Sequence, residues 1–162
     1  MPDPFETFLL LSVQLCGISS FDLMGTGFAR RYFDIVEGVI GHDLFRRLLG
    51  TFNRLTTDPA KRNRVLQTEI LYHPEFGPIA RNIMKLWYTA FWFQLPPTWR
   101  SNFGGNPGYN LAKDQTGISY PYAYPEALLC PAVGGHTFGA KPTGHQSWTL
   151  RPKFLLIPKE CP

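Results

Sequence analysis

The chain has 162 residues, of which 44% are hydrophobic, 15% aromatic and only 17% charged, against about 25% charged in an average domain. This length fits one domain burying about two thirds of its unfolded surface, and the apolar content excludes a disordered chain. The formal charge of +4 is mild and its basic clusters, Arg30-Arg31, Arg46-Arg47 and Lys61-Arg62-Asn63-Arg64, are scattered. They read as solvated helix faces rather than a nucleic-acid or anionic-lipid patch. No aromatic-stacking module with interleaved basic strands favours RNA.

In chain order, Met1 to Phe8 lacks the positive start of a secretory leader, and Leu9-Leu10-Leu11 is too short an apolar core for one. No run approaches the ~20 apolar residues of a membrane-spanning helix. Phe5, Phe8, Leu9, Ser12 and Cys16 repeat at steps of three and four, which predicts a helix over 5–16 closed by Gly17. Ser19-Ser20-Phe21-Asp22 offers caps for a second helix, roughly 22–38, interrupted at Gly25-Thr26-Gly27. A third runs from Gly41 to about 53, with Leu44, Phe45, Leu48, Leu49 and Phe52 on one side. After Thr56-Thr57-Asp58-Pro59, residues 61–67 predict a short exposed fourth helix.

The longest helical pattern follows, from Pro78 to Gln94, stopped by Pro96-Pro97. Ile79, Ile83, Leu86 and Ala90 define its apolar face, and Trp87, Phe91 and Trp92 widen that face almost all the way round. A helix apolar on most sides is central in a core or shared with a partner. Beyond Thr98-Trp99-Arg100 the pattern turns irregular. Gly104-Gly105-Asn106-Pro107-Gly108 is turn-rich, Ile118 to Pro121 reads as a short extended piece, and Tyr124 to Leu129 as one or two helical turns. The expected fold is mostly α in a single domain over 1–162, with a helical part over about 5–94 and an irregular Gly/Pro/aromatic-rich extension over about 95–162. So long an irregular segment is functional or packed against another molecule.

No catalytic pattern stands out. Gly134-Gly135-His136-Thr137-Phe138-Gly139-Ala140-Lys141 looks like a phosphate loop, but Pro142 forbids the helix that should follow. The segment Gly25-Thr26-Gly27 lacks the third glycine and the preceding strand of a dinucleotide fingerprint. Of His42, His73, His136 and His145, no pair has the spacing of a zinc helix; His136 and His145 share one irregular loop. Cys16 reads as a buried thiol. In an oxidising compartment Cys130 and Cys161 are candidates for pairing with each other or for a bridge to another subunit. Trp87, Tyr88, Trp92, Trp99, His136 and Trp148 are candidate structural or interface positions, with Trp87 and Trp92 expected to help present the extension to a partner.

Several segments in order carry a resemblance. They are Phe8-Leu9-Leu10-Leu11-Ser12, Asp22-Leu23-Met24-Gly25-Thr26-Gly27, Gly77-Pro78-Ile79-Ala80-Arg81-Asn82-Ile83 running into Leu86-Trp87-Tyr88, Leu95-Pro96-Pro97-Thr98-Trp99, Ala123-Tyr124-Pro125-Glu126-Ala127-Leu128, Gly139-Ala140-Lys141-Pro142 and Ser147-Trp148. Over roughly 5–150 the chain resembles the small subunit family of membrane-bound FAD-dependent sorbitol dehydrogenase, related to the small subunits of bacterial glucose and fructose dehydrogenases. It departs from that pattern at Cys130, where a tryptophan is expected, and across 101–120. The resemblance implies a subunit with no catalytic, cofactor-binding or metal-binding residue of its own. It implies a large subunit holding FAD, and often a cytochrome c subunit holding haem c. It also implies a role in folding, stability or export of the large subunit, in a periplasmic complex at the inner membrane. The alternatives are a small stand-alone metal-dependent or hydrolytic enzyme using His136 and His145, and a helical adaptor for an acidic partner.

Overall fold

A computed structural model describes residues 3–54 and 59–135, with backbone alone for 59–62. Helix α1, Pro4–Cys16, begins where the Asp3 carboxylate accepts the Phe5 N–H at 3.3 Å and Pro4 fills the first turn. It ends at Gly17, whose φ of 68° lets its N–H turn back to the Val13 carbonyl. Helix α2, Ser20–Gly25, is capped by Ser19. The interruption expected at Gly25-Thr26-Gly27 is a full break: α3, Ala29–Ile40, is a separate helix. Helix α4, His42–Asn53, follows across Gly41, and α5, Pro59–Leu66, runs on into a π-helical turn over Gln67–Leu71.

Helix α6, Phe76–Thr89, is the longest among the described residues. Its face is the one expected, since Ile79, Ile83, Leu86 and Ala90 are fully buried. Around it α1, α3 and α4 pack on one another, and α1 and α3 also touch α6. An aromatic cluster fills the space between α1, α3 and α4. The rings of Phe8, Phe33 and Phe45 lie 5.1–5.9 Å apart, mostly edge to face, which adds to their area burial.

The central helix stops sooner than the expected Gln94. Ala90 takes the left-handed conformation, φ 61°, and its N–H returns to the Leu86 carbonyl. The chain leaves as strand β1, Phe91–Trp92, antiparallel to β2, Gly117–Ile118, with Phe91 opposite Ile118 and Trp92 opposite Gly117. The aromatic run favours a strand over a helix, and alternation sends Trp92 inward and leaves Phe91 half-buried. A further helix, α7, Pro97–Phe103, lies inside the stretch expected to be irregular. A 3-10 turn, Tyr124–Glu126, and a short helix α8, Leu129–Ala132, complete the described chain. It is mostly α, with one two-stranded ribbon among the described residues.

Two glycines join the halves. Gly41, φ 85°, lies against Gly108, φ 84°, so closely that a Cβ on Gly41 would fall 2.7 Å from the Gly108 carbonyl carbon. Beside this contact the Asn110 N–H donates to the Val39 carbonyl at 2.8 Å.

Candidate interaction surface

Two buried carboxylates fix the segment after α6. Asp114 is fully buried and accepts from the Trp92 indole N–H at 2.8 Å, the Leu95 amide at 3.0 Å and the Tyr109 hydroxyl at 2.7 Å. Glu75 accepts a two-pronged pair from the Arg47 guanidinium, at 2.8 and 3.0 Å, and a bond from the Asn106 amide at 2.9 Å. The Glu75 carbonyl accepts from the Trp99 indole at 2.7 Å. Most of these bonds join segments distant in sequence, and each carboxylate accepts at least three hydrogen bonds. These are structural hubs.

The sequence-predicted residues fall into three groups. Trp87, Trp92 and Trp99 are interior, at 1%, 3% and 2% exposure. The Trp87 ring meets Tyr32 edge on at 4.9 Å, and Trp99 meets Tyr109 at 5.4 Å. Burial of these rings, and hydrogen bonding of two indoles to this chain's own acceptors, replaces the expectation that Trp87 and Trp92 help to present a partner surface. Tyr88 is half-buried and its hydroxyl donates to the Cys16 carbonyl at 2.7 Å, tying α6 to the end of α1. His136, Trp148, Cys161 and His145 lie outside the described residues, as does most of the loop Gly134 to Lys141.

The described histidines serve local structure. The His73 Nδ1 accepts the Glu75 and Phe76 amides, both at 3.3 Å, at the start of α6, and its ring stacks on Phe76. His42 Nδ1 lies 2.9 Å from Glu37 Oε1. Among the described residues no three His, Cys, Asp or Glu side chains are grouped as metal ligands. Cys16 is a buried free thiol whose pKa burial pushes up to about 12, which suppresses the nucleophilic thiolate. Cys130 is a half-buried free thiol on α8.

The surface that stands out is apolar. Helix α2 is only six residues long and buries Leu23 alone, leaving Phe21 85% and Met24 49% exposed. Its geometry is fixed by the Ser19 hydroxyl, which accepts the Asp22 N–H at 3.1 Å and donates to the Asp22 carboxylate at 2.6 Å. At the other end the Thr26 hydroxyl donates to the Leu23 carbonyl and accepts the Phe28 amide. Facing α2 is the segment 125–135. It is anchored where the Leu128 N–H donates to the Trp87 carbonyl at 3.1 Å, and it carries Leu129 and Val133 outward, the latter 77% exposed. Between them lies a groove of about 500 Å³, lined by Ile18, Phe21, Asp22, Glu126, Leu128 and Pro131 among others.

Sequence reasoning missed Phe21, Met24, Leu129 and Val133. A signal was available: on a helix as short as Phe21-Asp22-Leu23-Met24 allows, apolar side chains on three successive faces cannot all turn inward. A second cleft, about 430 Å³, lies between α3 and β2 and is bordered by Asp34, Lys113 and Ser119. No protein-family profile, curated protein or solved structure matches this chain.

Proposed function

We propose that this chain is a non-catalytic small subunit of a FAD-dependent sugar or sugar-alcohol dehydrogenase complex, which stabilises the FAD-containing large subunit and accompanies its export. The observation that carries this reading is the largely apolar groove that Phe21 helps to line, on two segments that also expose Met24, Leu129 and Val133. Exposed apolar surface beside a cleft is the kind of surface that protein–protein contacts use. The ordered family-like segments supply the partner's identity. The role works through mass action: a partner that binds only the folded large subunit stabilises it by about 2.7 kcal/mol at a hundredfold excess over Kd.

On this reading FAD belongs to the large subunit, haem c to a third, cytochrome subunit, and the complex meets the inner membrane from the periplasm through those partners. No helix among the described residues is long and apolar enough to cross a membrane.

The test is co-expression with the protein encoded beside this chain. The expected result is co-purification at fixed stoichiometry with a flavin spectrum, and a several-fold loss of soluble large subunit when this chain is omitted. Normal yield and activity of the large subunit without it would overturn the proposal.

A further inference from the structure

We propose that the cleft between α3 and β2 binds a small organic carboxylate with an apolar body. This cleft shares no lining residue with the groove beside α2. Its volume of about 430 Å³ suits a molecule of that size. Its walls are largely apolar, through Ile35, Val39, Trp92, Ile118 and Tyr120.

Lys113 supplies the charge. Gly38, in the last turn of α3, has no side chain, and the Lys113 side chain lies against it. A Cβ at Gly38 would fall 3.3 Å from the Lys113 Nζ and 3.8 Å from its Cδ. The ammonium is thus held at the cleft, yet it makes no hydrogen bond or ion pair among the described residues. Asp34 also lines the cleft, and Arg30 already engages it at 3.6 Å. Arg31 adds a further positive charge nearby. Its guanidinium lies 4.8 Å from the centroid of the Tyr120 ring and has no acidic partner among the described residues. The local balance of charge therefore favours an anion.

Strand β2 supplies a second donor. The Ser119 N–H reaches the Ala90 carbonyl at 2.8 Å, so in this antiparallel pairing Ile118 turns its own N–H away from β1. One ammonium and one N–H beside an apolar cleft suit a single carboxylate, whereas a phosphate dianion would meet too few donors.

Titration of the full-length chain with phenylacetate, and then hexanoate, followed by nuclear magnetic resonance, tests this. Saturable shifts are expected at the amides of Gly38, Gly117, Ile118 and Ser119 and at the Trp92 indole. A Kd on the order of a millimolar fits ligands of about ten non-hydrogen atoms. Lys113→Met keeps the apolar stem of an exposed side chain and should weaken binding by about tenfold. Neutral phenylacetamide should bind the native chain about tenfold more weakly than phenylacetate. Phe21→Ser, in the other groove, should bind phenylacetate as the native chain does. The proposal is overturned if neither carboxylate gives saturable shifts at this cleft up to about 20 mM. Equal affinity for phenylacetamide, or undiminished affinity in Lys113→Met, would overturn it as well. No subunit partner takes part, so the outcome is separate from that of the co-expression test.

Discussion

Residues 4–89 and residues 90–128 are buried by different means. In the first region the helices carry apolar faces at helical spacing, and Phe8, Leu11, Val36, Phe45, Leu48 and Ile83 belong to one continuous interior. In the second, regular structure is short: a two-residue ribbon, a seven-residue helix and a turn. There the chain is held by acceptors that the interior supplies, Asp114 and the Glu75 carbonyl and carboxylate. Apolar packing tolerates changes of shape with gradual cost, whereas a buried carboxylate serving several donors fails at a single atom. The first region is expected to lose stability as one cooperative unit and the second to open locally.

The largest expected effect tests the apolar half. Phe45→Ala should cost about 3–5 kcal/mol, because a fully buried ring leaves a cavity among Phe8 and Phe33. Urea unfolding followed by circular dichroism should show one shifted, cooperative transition. Asp114→Ala should cost about 3 kcal/mol by stranding the Trp92, Leu95 and Tyr109 donors. Here exchange should quicken within 91–118 before the helices α1, α3 and α4 lose protection. Asp114→Asn, which keeps an acceptor, should recover part of the loss. A uniform loss of protection across both regions would erase the distinction.

The joint between the regions is the next point to break. Gly41→Ala asks an L-residue to adopt φ 85° and drives its Cβ into the Gly108 backbone, so a loss of about 1–3 kcal/mol is expected. Denaturant midpoints measure it. Alkaline pH separates the regions more gently. Burial pushes the Cys16 thiol and the Tyr32 hydroxyl up to about 12. Burial, then the hydrogen bond to Asp114 and its charge, also push the Tyr109 hydroxyl upward. Each group is neutral when protonated, and its folded pKa exceeds its unfolded one. Their contribution is therefore fully present below about pH 9–10 and is lost as pH rises toward 12. Urea midpoints from pH 8 to 11.5 should be flat and then fall, and Tyr109→Phe should flatten the fall as read by exchange in 91–118.

The first region was legible in the sequence and most of the second was not. Gly17, Ser19 and the Gly25-Thr26-Gly27 break act within a few residues of themselves, so local chemistry announces them. The apolar face of α6 follows from spacing alone. The end of α6 was hidden because Ala90 has no preference for the left-handed turn that stops the helix; that turn is secured by the later pairing of Phe91 with Ile118 and by Ser119 N–H donation to the Ala90 carbonyl. Asp114 and Glu75 draw partners up to 31 residues away, and no spacing rule exposes such a bond. The apolar surface escaped notice for a further reason. Phe21 and Val133 look like core residues by type, and only the shortness of α2 and α8 leaves them outside.

That last point yields the smallest expected effect on stability and the most discriminating one. Phe21→Ser and Val133→Ser remove large apolar side chains that are 85% and 77% exposed. Little buried area is lost, so the unfolding midpoint of the isolated chain should move by no more than about 0.5 kcal/mol. If these residues meet a partner, the same pair should weaken its capture by tenfold or more, because interface aromatics carry a disproportionate share of binding energy. Trp99→Phe should behave in the opposite way. It breaks the bond to the Glu75 carbonyl and destabilises the fold, while leaving partner affinity per folded molecule unchanged. Measuring unfolding and pull-down on the same three variants therefore separates aromatics that hold this chain together from aromatics that face another. Should Phe21→Ser and Val133→Ser leave capture intact, the apolar surface has no part in binding, and the subunit reading loses the observation that carries it.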